Sequence, residues 1–468
     1  MPTDTHADPL TATSYDVPTV DPELIRHRTD ELVRHAKWSR SELLSEQGRM
    51  LREMLQHAAA NSPYYKHRIG ELVARGAPLP EFPTTNKQIL MAEFDGIVTD
   101  PRLNRALVEA HIASGQPGRL LLDEYRVVAT GGTSGMRGIF AYDQNAWETA
   151  VANLRRNRQL LGQTEAMRAL SIGAPSPVHL SNRFAAENRV GRQGAPRLSV
   201  TTPLPQIVAE LNAYQPETLA TYPSFMRVLA EEQRSGRLHI SPFLILSVAE
   251  ALSPDVRDLV RVTWGVEIMN NYAATETAII ANDCRHATGL HVYEDLLVVE
   301  IVDAANRPVP VGTQGSKTLI TTLFNRTLPL IRYEFSDLLT AVPGTCPCGS
   351  PFMRIRDIEG RHEEMLHVWN ERGHQVDVHA ARLWFHLVRV AGIRQYQFVQ
   401  LPAGIAVRIV VQSGHAPDEV RESVERIAGS ALHDLGVAGG RIEVRIVDHI
   451  ERVGTGLKQK PVVSEAHA

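Results

Sequence analysis

The feature that most limits the fold is an alternation between residues 125 and 355, where short β-prone runs are separated by stretches with helical periodicity. RVVAT, RALSIG, TLATY, FLILSVAE, VEIMNNY, LVVEIVD and SKTLITTLF read as strands. SFMRVLAEEQRSG and SPDVRDLVRVTWG read as helices, the second with Ser253 as N-cap and Pro254 in its first turn. Parallel strands need crossover connections, and helices supply them, so the alternation predicts an α/β fold with mainly parallel sheets.

The flanks read differently. Residues 1–22 are rich in Thr, Asp and Pro without apolar periodicity and are expected to form a flexible arm. From Asp21 to about Leu72 the spacing is helical, and Pro63 is expected to end that run. Beyond residue 362, strands QYQFVQL, IAVRIVVQ and RIEVRIVDHI surround the helix APDEVRESVERIAGSALHDLG. That pattern predicts a small α+β domain over 362–468, joined to a domain over 23–361 at the charged EGRHEEML stretch.

Composition narrows the function. A net charge of −4 over 468 residues gives no bulk attraction to nucleic acid or to an anionic membrane surface, so small-molecule chemistry is expected. No apolar stretch is long enough to span a bilayer, and the opening MPTDTHADPL has no signal-peptide pattern, so a cytoplasmic protein is expected. Three cysteines, Cys284, Cys346 and Cys348, are too few for a disulfide framework and are expected to be reduced or metal-bound.

The segment VVATGGTSGMRGIFAY, 127–142, carries the first chemical signal. Gly131, Gly132 and Gly135 let backbone N–H groups approach an anion, while Thr130, Thr133 and Ser134 add hydroxyl donors. The loop is not a Walker A motif, because Met136 and Arg137 stand where Lys and Ser or Thr would follow the last glycine. On its own such a cluster is as readily an exposed turn.

Further segments follow in a fixed order: TYPSFM (221–226), SVAEAL (247–252), NNYAATET (270–277), LPLIRYEFSD (328–337), IEGRHEEML (from 358) and GTGLKQKPVVSE near the end. With the loop, they resemble the adenylate-forming ligases, and within them the phenylacetate-CoA ligase and coenzyme F390 synthetase group. The resemblance covers roughly residues 40–463. It implies a large multi-sheet adenylation domain and a small mobile lid. It also implies an AMP-forming ligase that joins an aromatic or arylacetic acid to a thiol such as CoA, using ATP and Mg²⁺.

Mapped onto this chain, the resemblance assigns phosphate binding to residues 130–135. It places Ala249, Glu250, Asn271, Tyr272, Asp337 and Arg361 around the nucleotide, with the Tyr272 ring stacked on adenine and Asp337 gripping ribose hydroxyls. Thr275 would meet the α-phosphate, Glu276 would ligate Mg²⁺, and Lys458, with Lys460 as its neighbouring alternative, would carry the catalytic charge. Tyr222, Phe225, Ala273 and Ala274 would lie near the acid, although core packing explains Phe225 equally well. Cys284, His291, Cys346 and Cys348 match a structural zinc site, with His286 competing for the fourth position.

The chain also departs from the group. Tyr272-Ala273 replaces Tyr-Gly, Glu363 replaces a hinge Asp, and Leu457 replaces the glycine before the lysine. The expected thiol-entry segment reads RGHQVDVHAARLW. An amine, a carrier protein or nitrite therefore stands as an alternative acceptor chemistry, and a degenerate nucleotide-binding protein as a non-catalytic one. The expected partners are a small carboxylic acid and CoA or another acceptor, with no nucleic acid and no membrane; a homodimer is compatible with the resemblance.

Overall fold

The computed structural model describes residues 20–465 except 115–118, 131–136, 188–196, 287, 357, 359–363, 388–389, 403, 438–441 and 454–457. Val20 is buried and Asp21 caps the first helix, although both fall within the stretch expected to be an arm. Three helices follow, Pro22–His35, Arg40–Asn61 and Pro63–Ala74. Pro63 closes the second but also opens the third. Its missing N–H costs nothing at a first helical position, and the Ser62 hydroxyl accepts from Tyr65 N at 3.3 Å.

Strands β1 (Arg126–Ala129) and β2 (Ile139–Tyr142) form an antiparallel hairpin. A nine-stranded sheet then takes β3 (Ala169–Gly173), β4 (Arg197–Ser199), β5 (Thr218–Thr221), β6 (Leu244–Val248), β7 (Ile268–Ala274), β8 (Ala278–Asn282) and β9 (Leu290–Val292). Strands β10 (Leu297–Val302), β11 (Lys317–Thr322) and β12 (Tyr333–Phe335) make a separate antiparallel sheet. The short β13 (Ala341–Val342) and β14 (Arg354–Ile355) return to complete the order β13-β14-β9-β8-β7-β6-β5-β3-β4. Only the half from β4 to β7 is parallel; from β7 outward every pairing is antiparallel. The alternation predicted that parallel half and missed the other, which begins where the tight turn Thr275-Glu276-Thr277 folds β8 back on β7.

Period-two alternation in the parallel strands sends residues to two faces. Leu219, Ile245 and Ile268 join a core with helices Leu204–Tyr214, Pro223–Arg234 and Pro254–Trp264. Ala220, Leu244, Leu246 and Met269 turn the other way and pack with Leu161, just past helix Gln144–Leu160. Ser253 stands at the predicted N-cap position, but its side chain makes no capping bond.

The C-terminal part has its own core, running from Leu366 to Ile442. A hairpin of β15 (Met365–Trp369) and β16 (Gln375–His379) precedes helix Ala380–Leu387. Strands β17 (Ile393–Leu401), β18 (Gly404–Val411) and β19 (Ile442–Ile446) follow, with helix Pro417–Asp434 between the last two. A two-stranded hairpin, β20 (Arg452–Val453) with β21 (Lys458–Gln459), projects before β22 (Val462–Ser464) rejoins the sheet in the order β19-β18-β17-β22. No helix among the described residues is long and apolar enough to cross a membrane.

Candidate active site

A cavity of about 830 Å³ lies against the parallel half of the large sheet, where α/β folds characteristically bind ligands at the strands' carboxyl ends. One part of its wall comes from the ends of β6 and β7 and the turn after β7: Val248, Ala249, Asn271, Ala273, Ala274, Thr275 and Glu276. Thr130, at the base of the hairpin loop, lines it too, and its hydroxyl accepts from Gly138 N at 2.8 Å. Asp337 enters from beyond β12, its carboxylate accepting from the Tyr272 hydroxyl at 2.9 Å and its carbonyl from the Thr318 hydroxyl at 2.8 Å.

Local conformation sets these positions. Ala249 has φ +67, and Glu250 N donates to Val248 O at 2.9 Å, a tight three-residue turn that is costly for a residue with a Cβ. The turn is strained at the point where the strand meets the cavity. On the other side, the buried Tyr142 hydroxyl donates to Thr275 O at 2.9 Å and fixes the Thr275-Glu276 corner. Burial and the Glu276 carboxylate both push the Tyr142 and Tyr333 hydroxyls far above the ordinary tyrosine range, so both stay protonated.

Lys458 reaches the cavity from the C-terminal part, on the β20–β21 hairpin. The hairpin is held by Glu250, whose Oε1 accepts from Gln459 N at 3.0 Å and lies 3.4 Å from the Arg452 guanidinium. Arg452 Nη2 donates to the Ser224 hydroxyl at 2.9 Å. Two more contacts tie the parts together: Trp384 Nε1 to Asp255 at 3.4 Å and Arg394 to Glu231 at 3.1 Å.

Thr130, Ala249, Asn271, Thr275, Glu276, Asp337, Tyr222, Ala273, Ala274 and Lys458, all picked out in the sequence, come together around this one cavity. Gly131, Gly132, Thr133, Ser134, Gly135 and Arg361 lie outside the described residues. Three placements differ from expectation. Glu250 is a clasp on the C-terminal hairpin and does not line the cavity. Tyr272 is turned by strand alternation into the main core, so its ring is not among the cavity's walls. Phe225 packs with Met226 and Leu229 in the core beneath the sheet, the packing role that its helix spacing also allowed.

The cavity also holds polar groups that no motif announced. His179 is buried beside Lys458 and Arg197, and burial followed by those two charges depresses its imidazole to about 3, so it is neutral. Arg197 donates to Ala174 O at 3.1 Å and to Ser181 O at 3.3 Å. Arg158 lines the wall with Leu154, four residues earlier on the same helix. That spacing was the available signal: Arg158 continues the stripe Val151, Leu154, which a solvent-facing arginine would not.

Away from the cavity, ligand atoms of Cys284, His291, Cys346 and Cys348 lie within 4.8 Å of one another. Cys284 and Cys346 sulfurs are 3.6 Å apart, and Cys348 Sγ is 3.5 Å from His291 Nε2. Zinc bonds of about 2.3 Å to sulfur and 2.0 Å to nitrogen, at tetrahedral angles, require edges of about 3.8 and 3.5 Å. The cluster therefore has the dimensions of a tetrahedral site. Burial and then the neighbouring Arg354 lower His291 to about 4, leaving its ring neutral and able to ligate. His286 is exposed and lies outside the cluster.

No family model matches the chain. It is 26% identical over 354 residues to a phenylacetate-coenzyme A ligase of Thermus thermophilus, spanning 70% of this chain and 72% of that one. To the enzyme of that name from Pseudomonas putida it is 27% identical, spanning 68% and 70%. Among solved structures, 2-hydroxyisobutyryl-CoA ligase in its postadenylation state aligns with a TM-score of 0.73 at 18% identity, over 92% of both chains. The same ligase in its thioesterification state aligns at 0.58. The fold is shared.

Proposed function

We propose a two-step mechanism for a chain that belongs to the adenylate-forming superfamily, in its phenylacetate-CoA ligase-like group, and is an AMP-forming acid–CoA ligase. In the first step an oxygen of the acid's carboxylate attacks the α-phosphorus of ATP. A new carbon-bound O–P bond forms as the bond between the α- and β-phosphates breaks, and pyrophosphate leaves. In the second, the thiol of CoA attacks the activated carbonyl carbon, the bond to AMP breaks, and the thiol proton passes to solvent.

The observation that carries this reading is Lys458. A lysine contributed by a separate domain enters the same cavity as Thr275, Glu276 and Asp337, groups suited to an α-phosphate, a hard cation and a ribose. Lys458 places a compact positive charge where negative charge grows on the α-phosphate oxygens. Asp337, oriented by the Tyr272 hydroxyl, accepts from ribose hydroxyls. Mg²⁺, held by Glu276 and the nucleotide, would neutralise the departing pyrophosphate. The neutral ring of His179 sits beside the lysine and adds no competing charge.

The acid is read as aryl or arylacetic, from the relatives' substrate and a cavity large enough for a ring. The Cys/His cluster is read as structural zinc, since its four ligands leave no open position for chemistry. Lys458→Ala tests the reading directly. Acid-dependent exchange of pyrophosphate into ATP is expected to fall at least about 100-fold, with ATP affinity nearly unchanged. Full exchange activity in that variant would refute the assignment.

A further inference from the structure

Beside the apolar residues of its wall, the cavity carries an arginine on the helix side. Helix Gln144–Leu160 crosses the sheet so that Leu161 packs on Leu244, Leu246 and Met269, in the amino-terminal halves of β6 and β7. Arg158, less than one turn earlier, faces the cavity with Ser171, Ala220 and Leu246, three residues in one row across the parallel strands. The reacting groups stand at the other end of those strands, at Ala249 and Thr275. Three residues from Leu246 to Ala249 amount to about 10 Å at the rise of a β-strand.

Arg158 has no hydrogen-bond acceptor among the described residues, and its Nε is buried. The nearest charge acting on it is another arginine, Arg155. Burial, then that like charge, lowers its guanidinium to about 10, still charged at neutral pH. Asn271, level with Val248, is already occupied, accepting from Asn157 Nδ2 at 2.9 Å. A half-buried guanidinium whose Nε is buried and which meets no anion is costly to a fold, and it is retained where something else supplies the anion. ATP binds at the opposite end in the reading above, so the anion belongs to the acid.

Resting on that reading, we propose that the acid carries a second carboxylate, received by Arg158 while the first meets Lys458. Arg158 is then the residue that sets specificity. An arylacetic acid with a para carboxylate has the span for this, once a hydrogen-bond length is added at each end. Ser171 supplies a further hydroxyl beside the second carboxylate, and the absent side-chain bulk of Ala220 leaves it room.

The test compares 4-carboxyphenylacetate, 4-methylphenylacetate and phenylacetate with wild-type protein and with Arg158→Met and Arg158→Lys. Both pyrophosphate exchange and the thermal midpoint are measured. Wild type is expected to use the dicarboxylate about 10–100-fold better than its methyl counterpart. Arg158→Met should lose that preference and melt higher than wild type when no acid is present, because an unpaired buried charge is gone; Arg158→Lys should keep part of the preference. The dicarboxylate should raise the wild-type midpoint and leave that of Arg158→Met unmoved. A wild type that favours the neutral acids, or an Arg158→Met that melts lower with its preference intact, overturns the proposal. If no acid supports exchange, the ligase reading falls, and the midpoints alone decide the anion site: no shift by the dicarboxylate overturns it as well.

Discussion

Replacing Arg452 with Met should separate the two half-reactions. Arg452 lies on the C-terminal hairpin and is not part of the cavity wall, so its loss removes no group from the chemistry. Its side chain is 17% exposed and that of Glu250 10%, so the pair is only lightly screened. The guanidinium gives a hydrogen bond to Ser224 at 2.9 Å, an ion pair to Glu250 at 3.4 Å, and sits 5.8 and 5.9 Å from the rings of Tyr222 and Phe225. A charge-assisted hydrogen bond contributes about 1.5–3 kcal/mol. Taking about 2 kcal/mol for the clasp, the ratio of clasped to released hairpin falls about 30-fold. If wild type spends about half its time clasped, the clasped fraction drops to about 3%. Adenylation, measured as acid-dependent pyrophosphate exchange, should therefore slow about 15-fold. Transfer from a synthetic acyl-adenylate to CoA makes no use of the Lys458 charge in the proposed second step and should be unchanged or faster. Glu250→Gln should reproduce the defect, and the double variant should add little to either. Equal losses in both half-reactions, or no loss in either, would show that the clasp does not set the arrangement.

Other consequences follow from single groups. Cys346→Ser should reduce bound zinc from about one per chain to a trace and lower the melting temperature, since Cys346 ties its loop to β9 through the cluster; metal analysis beside a melting curve checks both. His179 has a folded-state pKa depressed below its unfolded value of 6.5, so an unfolded chain binds a proton that the folded chain refuses. Stability contributed by His179 is then present above pH 6.5 and lost toward pH 3, at up to about 1.4 kcal/mol per pH unit. Midpoints of wild type and His179→Gln across pH 4–7 should diverge, wild type falling more steeply; parallel curves contradict the buried neutral ring. Phe225→Ala should cost about 3–5 kcal/mol of stability while leaving the KM for the acid within about twofold, and a large KM change with little destabilisation would return Phe225 to the acid pocket.

What the sequence made legible was whatever is local. Runs such as TLATY and FLILSVAE announce strands because β-branched and apolar residues cluster over one strand length, and Thr275, Glu276, Asp337 and Lys458 are legible because each sits in a short ordered motif. The antiparallel half of the sheet was not legible. Strands as short as β13 and β14 carry two residues each, too few for any period, and exist only because their partners are already in place. Tyr272 shows the limit inside a motif. Its neighbours Asn271 and Ala273 reach the cavity, and a period of two necessarily turns the residue between them away. Arg158 and His179 show the opposite failure. Neither belongs to a motif, and in NLRRNRQL a cavity arginine has the same letter as Arg156, which is buried in an ion pair with Asp295. Only the helix phase distinguishes it, because Arg158 lies four residues from Leu154 and seven from Val151 and so shares their face. The chemistry common to the family is thus written in contiguous letters, whereas the choice of acid is written in phase and burial, which only the folded chain displays.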